Sequence, residues 1–218
     1  MHRYFVTGTD TDVGKTRVAA SLALALARGG QEPVIVKAVQ TGLRPLEEGD
    51  AQRAARLAGV ACIEIARYEK AADPWSAALA QGREPLAARA LADALDALDG
   101  PLVVEGAGGI MAPLNASEHL GDVAALAHLK TIVAIGLRLG CLSHALLTLR
   151  LCRELALSVA GAVLVERWGP AGEAYRSDVV RALQENVRVL GILASAPDEA
   201  ESIEAGAKLF APLVNQER

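Results

Sequence analysis

Short runs of β-branched and other apolar residues recur along the chain, and longer stretches rich in Ala and Leu with helical spacing separate them. The apolar runs predict strands over residues 4–7, 33–38, 102–105, 131–135, 159–165 and 187–193. The stretches between them predict helices over residues 15–28, 50–57, 86–98, 121–128, 143–155, 174–184 and 199–209. Because strands and helices alternate and the strands are apolar throughout, we predict an α/β fold with a mostly parallel sheet and helices on both faces.

Residues 60–85 have the least regular pattern, since Pro74, Trp75 and Gly82 interrupt it. We interpret this segment as a connection with some helix that lies over one end of the sheet. The sequence contains no internal repeat, low-complexity tract or linker that would divide it. We therefore predict a single α/β domain over residues 1–218.

Composition narrows the possible functions. Of the 218 residues 52% are hydrophobic, so the chain can bury a full core and intrinsic disorder is not expected. The formal net charge of −4 and the aromatic content of 3% disfavour a nucleic-acid partner and a membrane-interface belt. Three scattered cysteines, together with the lack of a signal-peptide pattern or a long apolar span, predict a cytoplasmic protein that binds neither nucleic acid nor membrane.

The most informative motif follows the first predicted strand. Residues 7–16 read T-G-T-D-T-D-V-G-K-T, and a helical pattern begins directly after them. This is a variant of the phosphate-binding P-loop in which Gly8 stands one place early. Gly14 lets the backbone approach a phosphate, Lys15 supplies a positive charge, and the Thr16 hydroxyl can bind Mg²⁺. We therefore predict a nucleotide site here rather than an ordinary capped turn.

Charged residues also lie where other predicted strands end, which is where open α/β sheets bind ligands. Lys37 follows an apolar run, so it needs an anionic partner unless it merely extends to solvent. Glu105 precedes a glycine-rich turn and fits a metal-binding carboxylate paired with Thr16. Asp50 opens a predicted helix, and from the residues alone a helix N-cap is the favoured interpretation.

A second glycine-containing turn, at residues 139–143, precedes another predicted helix. A reactive thiol at Cys141 is one interpretation, because thiol pKa values fall at helix N-termini. The favoured interpretation is that backbone N–H groups of the turn hold a carboxylate. His119 and His128 lack the spacing of metal ligands.

Taken together, these motifs resemble the dethiobiotin synthetase family of P-loop enzymes. The family's loop G-T-D-T-[ED]-V-G-K-T is matched by residues 8–16, and its K-P-V-x-[ST]-G motif by residues 37–42, with Ala38 in place of proline. Its E-G-A-G-G motif is matched by residues 105–109, and its K-L-G-x-[IL]-[NS]-H motif by residues 138–144, with Arg138 in place of lysine. The resemblance extends from Tyr4 to about Gly191, and the combination of motifs is more specific than the P-loop alone.

The resemblance implies an ATP- and Mg²⁺-dependent ligase of biotin synthesis that forms carbon–nitrogen bonds. Diaminopelargonate and CO₂, or bicarbonate as its source, would form a carbamate that takes the γ-phosphoryl group of ATP. Attack by the neighbouring amine on this carbamic-phosphoric anhydride would expel phosphate and close the ring, aided by intramolecular proximity. In such a reaction the protein mainly positions the reactants and neutralises charge.

The resemblance also implies roles for individual residues. It assigns catalysis to Thr11, Lys15 and Lys37, and Mg²⁺ binding to Thr16, Asp50 and Glu105. The residues implied in nucleotide binding are Asp12, Val13, Gly14, Lys15, Thr16, Arg17, Asp50, Glu105, Gly106, Ala107 and Gly108. The residues implied in substrate binding are Thr11, Lys37, Thr41, Gly140, Cys141, Leu142 and Ser143. The last four resemble a turn that binds the substrate carboxylate from the other subunit, which implies a homodimer.

The chain departs from the family pattern where the base would bind. Val165 stands where the family often has an asparagine that reads adenine, and residues 191–194 read G-I-L-A instead of G-x-[IL]-P. Asp12 stands where glutamate is common. These departures predict intact phosphate recognition and weakened selectivity for adenine.

Two other P-loop classes are alternatives. A cobyrinate-type amidating synthetase shares a related domain, but it draws ammonia from a glutaminase domain, which we do not expect within residues 1–218. A partitioning-type ATPase switch commonly carries K-G-G-x-G-K-T, whereas this chain has Thr9, Asp10 and Thr11 at the corresponding positions. Both alternatives are therefore weaker than the dethiobiotin synthetase interpretation.

Overall fold

A computed structural model describes residues 2–215, and within them seven strands and eight helices follow one another along the chain. The strands are β1 (Arg3–Gly8), β2 (Val34–Thr41), β3 (Ala61–Tyr68), β4 (Leu102–Gly109), β5 (Lys130–Gly136), β6 (Val159–Val165) and β7 (Val189–Leu193). The helices are α1 (Lys15–Arg28), α2 (Asp50–Ala58), α3 (Pro74–Ala80), α4 (Ala88–Asp96), α5 (Leu120–Leu126), α6 (Cys141–Glu154), α7 (Glu173–Gln184) and α8 (Glu199–Asn215).

The described strands form one parallel sheet in the order β3-β2-β4-β1-β5-β6-β7. The predicted α/β fold with a parallel sheet is thereby confirmed. Strand β1 lies at the centre, and β4 and β2 lie next to it on one side. Because all strands run in the same direction, the loop after β1 and the last residues of β2 and β4 share one edge of the sheet.

The helix predicted within residues 60–85 is present as α3, but the interpretation of the whole segment as a connection is wrong. The segment contains the edge strand β3, which pairs with β2 so that Val34 stands opposite Ala61 and Thr41 opposite Tyr68, and the short helix α3. Burial along β3 is uneven, as expected for an edge strand with one face toward water. Strand β3 was not predicted because its sequence is not wholly apolar, and only strands that are buried on both faces have a wholly apolar pattern.

The sheet separates two layers of helices. On one face α1, α2 and α8 pack over side chains that include Tyr4 and Val6. On the other face α3, α4 and α5 cover Phe5 and Val104, while α6 and α7 cover β5 and β6. Successive side chains of a strand point to opposite faces, which is why Phe5 belongs to a different core from its two neighbours. The prediction of helices on both faces is therefore confirmed.

Helix α8 extends to Asn215, beyond its predicted end at residue 209, and it lies along α1. Gly206 of α8 faces Ser21 of α1, and a Cβ at Gly206 would lie 2.7 Å from Ser21 Cβ and 2.8 Å from Leu193 Cδ1. Glycine at this position therefore allows the two helices to approach closely. None of the helices formed by residues 2–215 is both long enough and apolar enough to traverse a lipid bilayer.

We predict that Gly206→Ala lowers the free energy of unfolding by about 1–2 kcal/mol, because overpacking outweighs the better helix propensity of alanine. Urea denaturation followed by circular dichroism measures the change. Gly172→Ala is the matched control, since Gly172 has φ −61° and nothing lies within 4 Å of a Cβ there. Equal stability of Gly206→Ala and wild type would contradict the close approach of α1 and α8.

Candidate active site

The P-loop joins the end of β1 to the start of α1. Gly14 adopts a left-handed conformation with φ +95°, and a Cβ there would lie 2.7 Å from Val165 Cγ1. Both the backbone and the limited space therefore require glycine. Helix α1 begins at Lys15, so its first N–H groups and the positive end of its dipole face the cavity above the loop. This arrangement suits an anion.

Lys15 lies buried in the loop and donates a hydrogen bond to the backbone oxygen of Asp10 at 2.9 Å. Burial is the main cause that lowers the pKa of its ammonium group to about 8, although the Glu105 carboxylate acts in the opposite direction. A phosphate beside this ammonium group would favour its charged form. Lys15 therefore has the position and the charge that binding of a phosphate requires.

Lys37 and Glu105 stand opposite each other on the neighbouring strands β2 and β4, and only 2% and 1% of their surfaces are exposed. The Lys37 ammonium lies 2.7 Å from Glu105 Oε1 and 2.6 Å from Asp50 Oδ2. Burial alone would lower the pKa of Lys37, but the Glu105 and Asp50 carboxylates raise it above its ordinary value. Lys37 is therefore a charged, fully paired lysine, and the alternative that it extends to solvent is wrong.

Asp50 is the first residue of α2, whose N-cap residue is Gly49. Gln40 of β2 fixes this helix end, because its Oε1 accepts a hydrogen bond from the Asp50 N–H at 2.9 Å. Burial would raise the pKa of Asp50, but the Lys37 charge lowers it. The interpretation of Asp50 as a helix N-cap is therefore wrong, since its carboxylate faces Lys37. Gln40 is a residue that the sequence analysis missed.

Thr16 adds a hydroxyl group to the cluster formed by Lys37, Asp50 and Glu105. The Thr16 hydroxyl donates to Glu105 Oε1 at 3.0 Å. Glu105 Oε2 is buried and has no hydrogen-bond partner among residues 2–215. Leaving a buried carboxylate oxygen without a partner is costly, and a divalent cation would satisfy it. The Thr16 hydroxyl and the carboxylates of Glu105 and Asp50 therefore fit a hard cation.

The chemistry of these donors favours Mg²⁺ over a softer metal. The described part of the chain has no cluster of three or more His, Cys, Asp or Glu side chains arranged to hold a metal. A cation at Thr16, Asp50 and Glu105 would therefore complete its coordination with water and phosphate oxygens, as Mg²⁺ commonly does.

A cavity of about 570 Å³ lies above the P-loop and continues to the segment after β7. The predicted site residues that line it are Thr11, Asp12, Gly14, Lys15, Thr16, Arg17, Lys37, Thr41, Asp50, Glu105, Ala107 and Gly108. Val13 does not line it, because its side chain is buried in the core. Gly106 contributes its backbone oxygen, which accepts a hydrogen bond from Lys37 at 3.1 Å.

A second cavity of about 510 Å³ opens beside the first, and Thr11, Thr41, Ala107 and Gly108 line both. Its other walls are small or apolar residues and one carboxylate, namely Ala71, Ala72, Asp73, Pro74, Gly109 and Ala112. Such walls suit an alkyl chain, and Thr11 and Thr41 lie where the cavities meet.

Residues 71–74 were not predicted as site residues, although a local pattern marks them. The Asp73 carboxylate accepts a hydrogen bond from the Ser76 N–H at 2.9 Å, and Pro74 opens α3. An N-cap aspartate followed by proline is a typical helix start. The sequence therefore held evidence of a helix here, but none that the segment faces a cavity.

The turn before α6 lies apart from both cavities. Gly140, Cys141, Leu142 and Ser143 line neither of them. Cys141 is buried, and its sulfur lies 3.4 Å from the Tyr175 hydroxyl. This environment does not favour a reactive thiol. The role of the turn in substrate binding stays a prediction, because the turn lines neither cavity of its own chain.

The far end of the 570 Å³ cavity is built differently from the phosphate end. Val165 is buried and has no side-chain amide that could bind a base. The neighbouring Glu166 is 1% exposed, and its carboxylate accepts hydrogen bonds from the N–H groups of Ala171 at 2.8 Å and Ser195 at 3.2 Å. Arg176 contacts the same carboxylate at 2.5 Å. Both oxygens of Glu166 therefore hold two loops together.

Other residues of the cavity lining were also missed by the sequence analysis. The cavity lining includes Arg53, Glu166, Arg167, Ser195, Ala196, Pro197 and Glu199. They come from α2 and from the segments after β6 and β7. No motif links these segments, so only the fold brings them together.

Similar solved structures confirm the fold class. The cell division ATPase MinD from Pyrococcus furiosus is 17% identical with a TM-score of 0.57, covering 100% of this chain and 98% of that chain. A ParA family ATPase from Chlorobium tepidum is 14% identical with a TM-score of 0.58, covering 96% of this chain and 90% of that chain. At these identities the similarity shows the fold alone and does not favour a partitioning-type switch.

Sequence comparison identifies the family. A family model described as an AAA domain matches residues 2–205. An ATP-dependent dethiobiotin synthetase from Streptomyces coelicolor is 40% identical over 164 residues, which are 73% of this chain and 69% of that protein. The enzyme of that name from Anaeromyxobacter sp. strain K is 41% identical over 178 residues, which are 78% of this chain and 78% of that protein. The enzyme of that name from Pseudomonas aeruginosa is 38% identical over 176 residues, which are 74% of this chain and 75% of that protein. The chain therefore belongs to the ATP-dependent dethiobiotin synthetase family.

Proposed function

We propose that this chain closes the ureido ring of dethiobiotin from diaminopelargonate and CO₂, using ATP and Mg²⁺. Family membership makes it an ATP-dependent ligase of biotin biosynthesis that forms a carbon–nitrogen bond. The observation that carries the finer proposal is the meeting of two cavities at Thr11 and Thr41. One cavity contains the P-loop and Lys37, and the other has the small, apolar walls that an aliphatic diamine needs.

The reaction requires three changes of bonding. One amine of the substrate adds to CO₂ and loses a proton, which gives a carbamate. A carbamate oxygen then attacks the γ-phosphorus of ATP, and ADP leaves. The second amine attacks the carbamate carbon, loses a proton, and expels phosphate as the ring closes. The protein has to hold these groups close together and neutralise their negative charge.

The residues of the site match these requirements. Lys15 and the α1 N–H groups hold the phosphates, and the charged Lys37 stabilises the carbamate oxygen and the phosphoryl group in transfer. Thr16, Asp50 and Glu105 would hold Mg²⁺, which supplies additional neutralisation of phosphate charge when bound. Thr11 and Thr41 lie at the meeting point of the cavities, and their hydroxyls would orient the diamine.

The carboxylate end of the substrate requires a further anion site. We assign it to the Gly140–Ser143 turn of a second copy, because this turn lies outside both cavities of its own chain. Leu139 and Leu147 near the turn are 90% and 64% exposed, which supports a homodimer contact there. The proposal also includes a cytoplasmic location and no nucleic-acid or membrane partner.

The direct test incubates the protein with diaminopelargonate, bicarbonate, Mg²⁺ and ATP and detects dethiobiotin by mass. We expect product and ADP in equal amounts.

Because Val165 has no side-chain amide and the Glu166 carboxylate is already hydrogen-bonded, we expect GTP and CTP to support turnover within about two orders of magnitude of ATP in kcat/KM. Lack of dethiobiotin would contradict the function, whereas strict use of ATP would contradict only the weakened base selectivity.

Lys37→Met should lower kcat by about 10²–10³-fold, because it removes the positive charge that acts on the transferring group. ADP binding, measured by calorimetry, should change little since the P-loop is intact. Melting curves of Lys37→Met should accompany these measurements to show that the variant is folded, because the substitution leaves the Glu105 and Asp50 carboxylates without their partner. Lys208→Met, on the exposed side of α8, is the control that should turn over like wild type. Normal turnover of Lys37→Met would refute the assigned role.

Glu105→Gln should raise the Mg²⁺ concentration needed for half-maximal activity by about tenfold or more, since a neutral amide is a poorer ligand than a carboxylate. A Mg²⁺ titration at saturating ATP measures this shift. Glu118→Gln is the control, because the Glu118 carboxylate binds Asn115 and lies outside both cavities. An unchanged Mg²⁺ midpoint in Glu105→Gln would exclude metal binding at this carboxylate.

A further inference from the structure

An ion pair connects two walls of the nucleotide cavity. Arg53 of α2 and Glu199, the first residue of α8, both line the cavity. Arg53 Nη2 lies 2.9 Å from Glu199 Oε1, and its Nε and Nη2 donate to Glu199 Oε2 at 3.1 Å and 3.0 Å. The contact therefore joins α2 to α8 beside the space that a nucleotide would occupy.

Arg53 lies three residues after Asp50 in α2, so the two side chains share one face of the helix. Helical side chains lean toward the N-terminus of their helix, which brings the Arg53 guanidinium toward the level of Asp50. Asp50 contacts Lys37 at the proposed Mg²⁺ site. Arg53 is therefore a cation of the cavity lining that lies on the same face of α2 as Asp50.

Three other cations that line the cavity are held in ways that Arg53 is not. Lys37 is buried between two carboxylates, and Lys15 is buried on the Asp10 backbone oxygen. Arg17 donates to the Ala194 backbone oxygen at 2.6 Å and to the Ser202 hydroxyl. The side chains of Arg53 and Glu199 are instead 53% and 31% exposed. Exposed ion pairs of this kind are weak and break easily when a stronger anion arrives.

We propose that Arg53 selects nucleotides by their polyphosphate chain, because it leaves Glu199 and binds phosphate oxygens when the nucleotide enters. Glu199 acts as a competing anion that occupies Arg53 in the empty site and so weakens nucleotide binding. A triphosphate carries about four negative charges against one on Glu199, and charge-assisted hydrogen bonds from a guanidinium to phosphate are strong. The inference rests on the proposed nucleotide site but concerns residues outside every motif of the family noted above.

The test compares binding of ATP and of adenosine to five proteins by calorimetry: wild type, Arg53→Gln, Glu199→Gln, the double variant of Arg53→Gln and Glu199→Gln, and Arg56→Gln. Arg53→Gln should weaken ATP binding by roughly tenfold, the effect of one lost charge-assisted hydrogen bond, and leave adenosine binding unchanged. Glu199→Gln should tighten ATP binding by about two- to fivefold, because it frees Arg53. The double variant should bind ATP like Arg53→Gln, since Glu199 acts through Arg53.

Arg56→Gln is a close control. Arg56 lies on the same helix, pairs with Glu48 at 2.8 Å, and has a similar exposure of 59%, but it does not line the cavity. Its removal should leave ATP binding unchanged, and melting curves of all variants should show that α2 stays folded. The proposal is overturned if Arg53→Gln binds ATP like wild type, if Glu199→Gln binds it more weakly, or if adenosine binding falls equally. Failure of wild type to bind ATP would instead overturn the proposed function itself.

Discussion

A lysine ammonium group buried between two carboxylates is the interaction on which this site depends. Lys37 reaches it from β2, Glu105 from β4 and Asp50 from α2, so three elements of the fold meet at one point. Burial of one such charge without its partners would cost several kcal/mol, which is comparable to the whole stability of a domain. The three groups are stable only together, and the strand register that sets Lys37 opposite Glu105 fixes their geometry before any ligand enters.

The centre of the site could be predicted from the sequence because its features follow local rules. The P-loop is a continuous motif, and Lys37 and Glu105 each follow a run of apolar residues within a strand. Parallel strands place their carboxyl ends on one edge, so these features converge whenever the sheet forms. The order β2-β4-β1 then brings the three segments into contact. The convergence follows from the parallel direction of the strands alone. The contact between Lys37 and Glu105 also requires that β2 and β4 be neighbours in the sheet.

The parts that could not be predicted depend on contacts between distant segments. Asp50 begins a helix, and local physics alone favours a cap there, but Gly49 occupies that position and tertiary contact with Lys37 decides the role of the carboxylate. Strand β3 is recognised only through its pairing with β2, since one of its faces is open to water. The approach of Arg53 to Glu199 joins residues 146 positions apart, and no local pattern indicates it.

The two ends of the nucleotide cavity differ in how they are built, and the difference has a consequence for catalysis. The phosphate end presents Lys15, Lys37 and helix N–H groups, all positioned by buried contacts. At the other end the carboxylate of Glu166 holds two loops together, and both of its oxygens are already occupied. Contacts with the base are the same before and during phosphoryl transfer, so they affect KM more than kcat. Contacts with the phosphates change as charge moves to the leaving group, and a site that concentrates its fixed charge there directs its binding energy to the chemical step.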